Sequence, residues 1–548
     1  MDAKTIAGIL ARRFPIKDDD PEAIAMSSLR DLLWGKGDDY LPNLCRTLDS
    51  QAIHDELAHR NASPPPDSPS AALWLFRLAS PYDIPPEDYA VSPGRTFTFL
   101  DISGIPFVPG KLSYILIRDE YKVAFEHISS MPRQRCGGVT ICGQPGIGKS
   151  LCLYYLLIRR LLMGLPVALQ AVRETVLLFL ESGTYAVHDA DILNFLPEDT
   201  WALVDSGLSV NQPAPFLSYP SSPYFIIQAA SPRPGRMDWQ KYKHAKMFYM
   251  RPWDWEEIVS AAPFQPSEVP LTLMGLRFVY NLFGPSAREC YMLAEDYAYT
   301  SQRVSDVKKY LRSMQQISLQ QILDDLDSAP QDHISHQVFC VFPDSESRLS
   351  PRHDFLTRYT GRLVLDCWVE KDAKRLNELR ATFSRVRELG PAFGCLFEQF
   401  AHTTLSQGLD GSISELPIAL KQIHYGFDTG TRGATYEVHF GPRTTTIFDM
   451  KNFPPPSDTA YYIPVRENQA TFDSIIIHNG RVTLFQVTVG RTHDVSAVGL
   501  NQLEQVLPQP SYDLIFIVRT GQRCSGVVPD GWRSRLRLFV MEIKDHTE

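Results

Sequence analysis

The stretch GVTICGQPGIGKS, residues 138–150, decides the fold of the middle of the chain. Five residues of β character, GVTIC, run into a loop carrying Gly143, Gly146 and Gly148, and Lys149-Ser150 then open an apolar run with helical spacing. Gly143, Gly148, Lys149 and Ser150 satisfy G-x-x-x-x-G-K-[ST], with Gln144, Pro145, Gly146 and Ile147 between the outer glycines. The chemistry needs these types in this order: glycines let successive backbone N–H groups wrap a phosphate chain, the lysine reaches the β- and γ-oxygens, and the hydroxyl ligates Mg²⁺. A site for ATP or GTP with Mg²⁺ is therefore expected at Gly143, Gln144, Pro145, Gly146, Ile147, Gly148, Lys149 and Ser150.

Magnesium also needs a carboxylate at the end of a neighbouring apolar strand. WALVD (201–205) supplies Asp205, which is expected to hold the metal with Ser150 and to act with Lys149 in catalysis. The next residue is Ser206, where fast ATPases often carry a glutamate that activates water, so hydrolysis is expected to be slow. IIQAASPR (226–233) ends a further strand-like run on Arg233, a candidate sensor of the γ-phosphate whose alternative is a plain turn with a surface arginine. NLFGPSAREC (281–290) places Arg288 at a helix start after Gly284-Pro285, where it could meet phosphate from a helical lid.

Around this motif, PVALQAV (166–172), TVLLFLES (175–182), WALVD and YFIIQAAS (224–231) are continuous apolar runs of strand length separated by helical stretches. That pattern implies an α/β fold with a parallel sheet covered on both faces. It covers residues 111–290, after a proline-punctuated region, 1–110, of no readable role. Residues 291–390 are rich in helix formers and charge and are expected to be a helical connector or lid. From 391 to 548 the order changes to a helix, short strands, the pair DSIII and RVTLFQVTV joined around Asn479-Gly480, a helix, and two final strands. An Asn-Gly between strand patterns signals a hairpin, and the stretch reads as a second α/β or α+β domain.

A chain of 548 residues exceeds one hydrophobic core, and two to four domains are expected. A formal net charge of −9 excludes coating nucleic acid by bulk electrostatics and leaves room for a local basic groove. Nine scattered cysteines without a CxxC pair read as reduced thiols of an intracellular protein. The start, MDAKTIAGILARRF, lacks a secretory pattern, and the longest apolar tract, 151–169, is cut by Arg159-Arg160, so no membrane span is expected. Oligomeric state, a homo-oligomer included, is left open.

GQPGIGKSLCLYYLLIRRLLMGLPVAL, ALVDSG, ASPR and FYMRPWDWEEI (248–258) together resemble the NTPase region of Crinkler and retrotransposon-hot-spot (RHS) type proteins over residues 111–300. The resemblance implies a P-loop NTPase allied to STAND/AAA-like switch enzymes, followed by a nuclease-like domain of the PD-(D/E)XK restriction-endonuclease type. It further implies an effector or toxin-like role, often at the nucleus, with DNA as a partner of the C-terminal domain. The secreted Crinklers' N-terminal header is not evident, which leaves secretion open. Nuclease chemistry needs an acid on a helix, an Asp opening a hairpin strand, and an acid two residues before a lysine on the next, converging on Mg²⁺. Glu398, with His402 one turn on, Asp473 as metal ligand and Gln486 occupy those positions as catalytic candidates. Gln486 stands where the second acid belongs and Thr488 where the lysine belongs, with Lys451, Arg491 or His493 as conceivable substitutes. Two other readings stand beside a coupled NTPase and nuclease. One is a nucleotide-switched interaction protein with a degenerate nuclease fold; the other is a DNA-handling ATPase associated with mobile elements.

Overall fold

Apolar runs without alternation require a sheet buried on both faces, and the computed structural model contains one. It describes residues 3–61, 94–313, 334–364, 390–415, 435–464 and 471–543, excepting 18, 109–111, 134–135, 173–174, 189–196, 198, 207–209, 231–233, 267–270, 295–296, 345–346, 358, 362, 449, 451–452, 479, 490–491 and 523. The chain divides into a first unit, Met1–Ala71 with Tyr89–Thr360, and a second, Ala72–Asp88 with Gly361–Glu548. Both are α/β.

In the first unit, β1 (Cys45–Asp49), β2 (Thr96–Asp101) and β3 (Tyr114–Leu116) form a small antiparallel sheet. The main sheet contains β4 (Gly138–Cys142), β5 (Val167–Gln170), β6 (Val176–Leu180), β7 (Gly183–Val187), β8 (Trp201–Asp205), β9 (Phe225–Ala229) and β10 (Lys246–Tyr249). Its order is β10-β4-β9-β8-β5-β6-β7. The five strands from β10 to β5 are parallel, and β6 and β7 extend the sheet antiparallel. Every residue of β4, β5, β6 and β9 is buried, which is why these runs carry no polar alternation. The chain leaves β4 toward β5 on one side and returns as β10 on the other. The carboxyl end of β4 therefore opens on the crevice where connections diverge, the usual ligand position in such sheets.

Residues before 62 build part of this unit. Leu10 and Phe14 join the core of Val176, Leu178, Tyr185, Val187 and Ala202. The helix Pro21–Leu33 begins at Asp20, whose carboxylate accepts from Ala23 N at 2.9 Å, with Pro21 where a missing N–H costs nothing. Arg30 Nε then donates to Leu180 O at 3.0 Å, fixing that helix to β6. After β10 come the helices Trp255–Ala261, Leu273–Phe283, Ala287–Leu293 and Tyr297–Ser313. The expected helical connector over 291–390 holds the last of these, but its described part also contains a hairpin, β11 (Phe339–Pro343) with β12 (Pro351–Phe355), inside the first unit. Two strands of five residues between long charged, helix-forming runs leave little period-2 signal.

The second unit carries β13 (Leu409–Glu415), β14 (Thr435–Phe440), β15 (Thr444–Phe448), β16 (Ala460–Pro464), β17 (Ser474–His478), β18 (Arg481–Val487), β19 (Thr492–Asp494), β20 (Tyr512–Arg519), β21 (Ser525–Val527) and β22 (Leu536–Ile543). Eight of them form a mixed sheet in the order β14-β13-β22-β20-β18-β17-β16-β15. The helices Gly390–Gln407 and Ala497–Val506 accompany it. Ile475, Ile477, Leu484, Leu500, Leu503, Leu514 and Phe516 share one core. The hairpin expected at Asn479-Gly480 is present, with His478 opposite Arg481 and Gly480 at φ +73°.

Candidate functional site

The loop after β4 bends through Gly143, Gly146 and Gly148 at φ +138°, +78° and +86°, values that cost a residue with a Cβ dearly. Its carbonyl oxygens are taken in turn. Lys149 Nζ donates to Gly143 O and Gln144 O, both at 2.9 Å. Ser286 Oγ donates to Pro145 O at 3.1 Å, and Arg288 N to Gly146 O at 3.4 Å. Ile147 O accepts from Trp253 Nε1 at 2.8 Å and Arg118 Nη1 at 3.3 Å, and Gly148 O accepts from Tyr121 Oη at 3.1 Å. With the carbonyls engaged, the loop's N–H groups are the polarity it can present to a ligand, and N–H groups select anions. An ammonium has three donors, so Lys149, with two on carbonyls, keeps one for the same anion.

Ser150 Oγ donates to Asp205 Oδ1 at 2.8 Å, joining the loop to the end of β8. The acid strand is not adjacent to β4; β9 lies between them. The side chain at the start of the following helix spans that strand. Hydroxyl and carboxylate together supply the hard oxygen pair that Mg²⁺ takes when phosphates and waters complete its shell, so these residues fit the metal. Burial lowers Lys149 to about 8, helped by the positive charges of Arg288 and Arg236, and Asp205 counteracts it. Burial likewise raises Asp205, against the Ser150 hydrogen bond and the charges of Lys149 and Arg236. Two arginines thus act on Lys149 beside the half-buried Asp205, a field that favours a polyanion.

Arg288, on the exposed side of its helix start, contributes to the loop through its backbone N–H and to Lys149 through its charge. Arg233 lies outside the described residues. Ser206, 1% exposed, accepts from Gln228 Nε2 at 2.7 Å, and Arg236 Nη1 donates to its carbonyl at 2.9 Å. Gln228 in turn accepts from Trp239 Nε1 at 2.8 Å. The position after the acid is therefore a structural polar contact between β8 and β9 rather than a base aimed at water.

Several residues of the site carry no motif. Arg118 is buried and paired bidentately with Glu257 at 3.0 and 2.8 Å, and its guanidinium lies 4.9 Å from the Trp253 ring centroid. Glu257 also closes a capping box with Asp254. Trp253 N donates to Pro285 O at 3.1 Å, and Trp253 O accepts from Tyr280 Oη at 3.3 Å, so one indole residue ties the loop to the helices that follow β10. Only the run RPWDWEE offered a signal, and its chemistry resides in a contact across 106 residues.

In the second unit, Asp473 Oδ2 accepts from Gln486 Nε2 at 2.8 Å and from Val487 N at 2.7 Å. A carboxylate only accepts, so Gln486 meets it with its NH₂ end. Asp473, expected as a metal ligand, and Gln486, expected as the second catalytic group, thus stand in direct contact across the hairpin. Both donors fall on the same carboxylate oxygen, Oδ2. Glu398 Oε1 lies 3.6 Å from His402 Nε2, and His402 Nδ1, Tyr461 Oη and Ser474 Oγ continue a buried chain at 2.8 and 2.7 Å. Glu398 and Asp473 both act on Tyr461, whose hydroxyl burial raises well above its ordinary value. The sheet thus brings Glu398, Asp473 and Gln486 into one neighbourhood without a cationic residue at Thr488. Lys451 and Arg491 lie outside the described residues.

Among the described residues no group of three or more His, Cys, Asp or Glu side chains is placed to hold a metal ion, and no helix is long and apolar enough to cross a membrane. Against protein-family models the chain has no match, and no curated protein matches it.

Proposed function

We propose that this protein is a nucleotide-binding switch of the Crinkler/RHS type, taking MgATP or MgGTP in its first unit and hydrolysing it slowly. The observation that carries the reading is the glycine loop itself: six successive carbonyls engaged, two by Lys149 folded over its mouth and four from outside the motif, and Ser150 bonded to Asp205. Loop N–H groups and Lys149 would bind the phosphates, while Ser150 and Asp205 would hold Mg²⁺, whose chemistry when bound is to neutralise phosphate charge. Ser206, engaged with Gln228, supplies no base, which supports turnover far below the roughly 10 s⁻¹ typical of enzymes.

Titration of the full chain with MgATP and MgGTP tests this, with Lys149→Ala alongside. Loss of a charge-assisted contact of about 3 kcal/mol predicts affinity weaker by roughly 100-fold. Equal affinity in the variant, or none in the wild type, ends the reading. For the second unit, the Gln486–Asp473 hydrogen bond favours a fold that engages DNA or another partner without cutting it. On this proposal the protein acts inside the cell, at the nucleus, through nucleotide-controlled engagement.

A further inference from the structure

Gln144 sits second in the phosphate loop, yet both ends of its side chain are spent elsewhere. It is 2% exposed; Nε2 donates to His336 O at 2.6 Å and Oε1 accepts from Val341 N at 3.2 Å, partners 192 and 197 residues downstream. A motif that tolerates any residue at this place therefore carries one whose amide is matched, donor and acceptor, to a single remote backbone segment.

That segment is tied to the site at two further points. Arg348, between β11 and β12, pairs with Glu120 at 2.7 and 3.0 Å, and its carbonyl accepts from Tyr249 N at the end of β10 at 2.8 Å. Glu120 itself, next to Tyr121, also accepts from Arg251 N at 2.9 Å. Beyond β12, Thr357 Oγ1 donates to Leu282 O at 3.0 Å, and Leu356 O lies 2.6 Å from where a Cβ on Gly284 would stand. Gly284 begins the turn that delivers Ser286 and Arg288 to the phosphate loop. His336, Val341, Arg348, Leu356 and Thr357 thus touch the loop, the strand beside it and the helices that cap it, and the longer segment of the second unit starts at Gly361.

Resting on the nucleotide reading above, we infer that Gln144 is a positioning residue that couples the phosphate loop to the β11–β12 hairpin, so that this segment reads nucleotide occupancy. The physical link is short. Lys149 Nζ holds Gln144 O, and the same ammonium is the group that reaches for phosphate. Turning its third donor to a γ-oxygen shifts the ammonium against Gln144 O, and the side chain of residue 144 carries the change to residues 336 and 341. Coupling of this kind is reciprocal, so moving the hairpin alters nucleotide affinity by the same factor.

Amide hydrogen exchange on the full chain tests it, with and without whichever of Mg-AMPPNP and Mg-GMPPNP the chain binds. Wild type should protect 143–150 and change exchange in 338–343 by about fivefold or more. With nucleotide raised until 143–150 is protected as in wild type, Gln144→Ala should lose the response of 338–343. Gln144→Glu, which retains the acceptor for Val341 N but sets a carboxylate against His336 O, should keep part of it. Should Gln144→Ala fail to fold, Arg348→Ala serves: the hairpin exchanges faster without nucleotide and its response to nucleotide shrinks. Protection of the loop with no change in 338–343, or a full response surviving these substitutions, overturns the coupling and leaves the nucleotide reading intact. No protection of the loop with either nucleotide overturns both.

Discussion

Lys149 shows how a single residue's chemistry is set by its surroundings. Burial brings its ammonium to about 8, so near neutral pH the charge that nucleotide binding needs is present at little margin. The sign is as follows: below 8 the ammonium is already formed and affinity is flat. Above 8 binding must take up a proton, and Kd rises by up to about tenfold per pH unit until the complex itself deprotonates. Calorimetric titration between roughly pH 6.5 and 9.5 checks this, and a flat profile across that range contradicts it. For the ligand-free fold, the depressed value means that burying the ammonium costs stability below about 8, relieved as pH rises toward the ordinary 10.5. Gln486 is the converse case, a neutral group placed where an acid would belong. Gln486→Glu sets two carboxylates against each other at the 2.8 Å contact with Asp473, a repulsion that a divalent cation relieves. The variant should gain Mn²⁺-dependent thermal stabilisation that the wild type lacks; identical melting shifts in both would show that the amide is not what blocks metal.

At the level of elements, the strand, the glycine loop and the helix were all legible because each has a local cause. β4 is an apolar run of strand length, the loop has glycines where φ is positive, and the helix Lys149–Leu162 has a buried apolar face. Gly146 shows what the motif leaves unsaid. At φ +78° a side chain costs about 1–2 kcal/mol, and a Cβ there would also run into the Ser286 hydroxyl and stand 2.9 Å from Arg288 Cβ. Gly146→Ala should therefore lower the melting temperature by several degrees and weaken nucleotide binding, although the motif allows any residue at that position. Unchanged stability and affinity would mean that the turn before the helix Ala287–Leu293 does not rest on the loop. The hairpin β11–β12 went unread for the opposite reason: its strands are short, and what stabilises them is contact with the loop and with β10 rather than their own pattern.

For the whole molecule, the α/β class of both units follows from patterning, whereas the division near residue 360 does not. The sequence places a boundary where composition shifts; the fold groups residues by the contacts within each unit, and the hairpin belongs to the first. The expected activity of the second unit also belongs at this scale, because Glu398, Asp473 and Gln486 come from a helix and two strands. Incubated with plasmid DNA and either Mg²⁺ or Mn²⁺, with and without nucleotide, the full chain should leave supercoiled DNA uncut. Cleavage abolished by Asp473→Ala would restore the nuclease reading. By itself the sequence determined the glycine loop, the lysine and hydroxyl that open the helix after it, and the acid that ends β8, since a turn with positive φ needs glycines and a continuous apolar run of strand length ends on that acid. Only the tertiary structure decided what holds that loop in shape. Arg118, Tyr121, Trp253, Ser286 and the partners of Gln144 act through hydrogen bonds between segments far apart in the chain, and such bonds leave no periodicity to read.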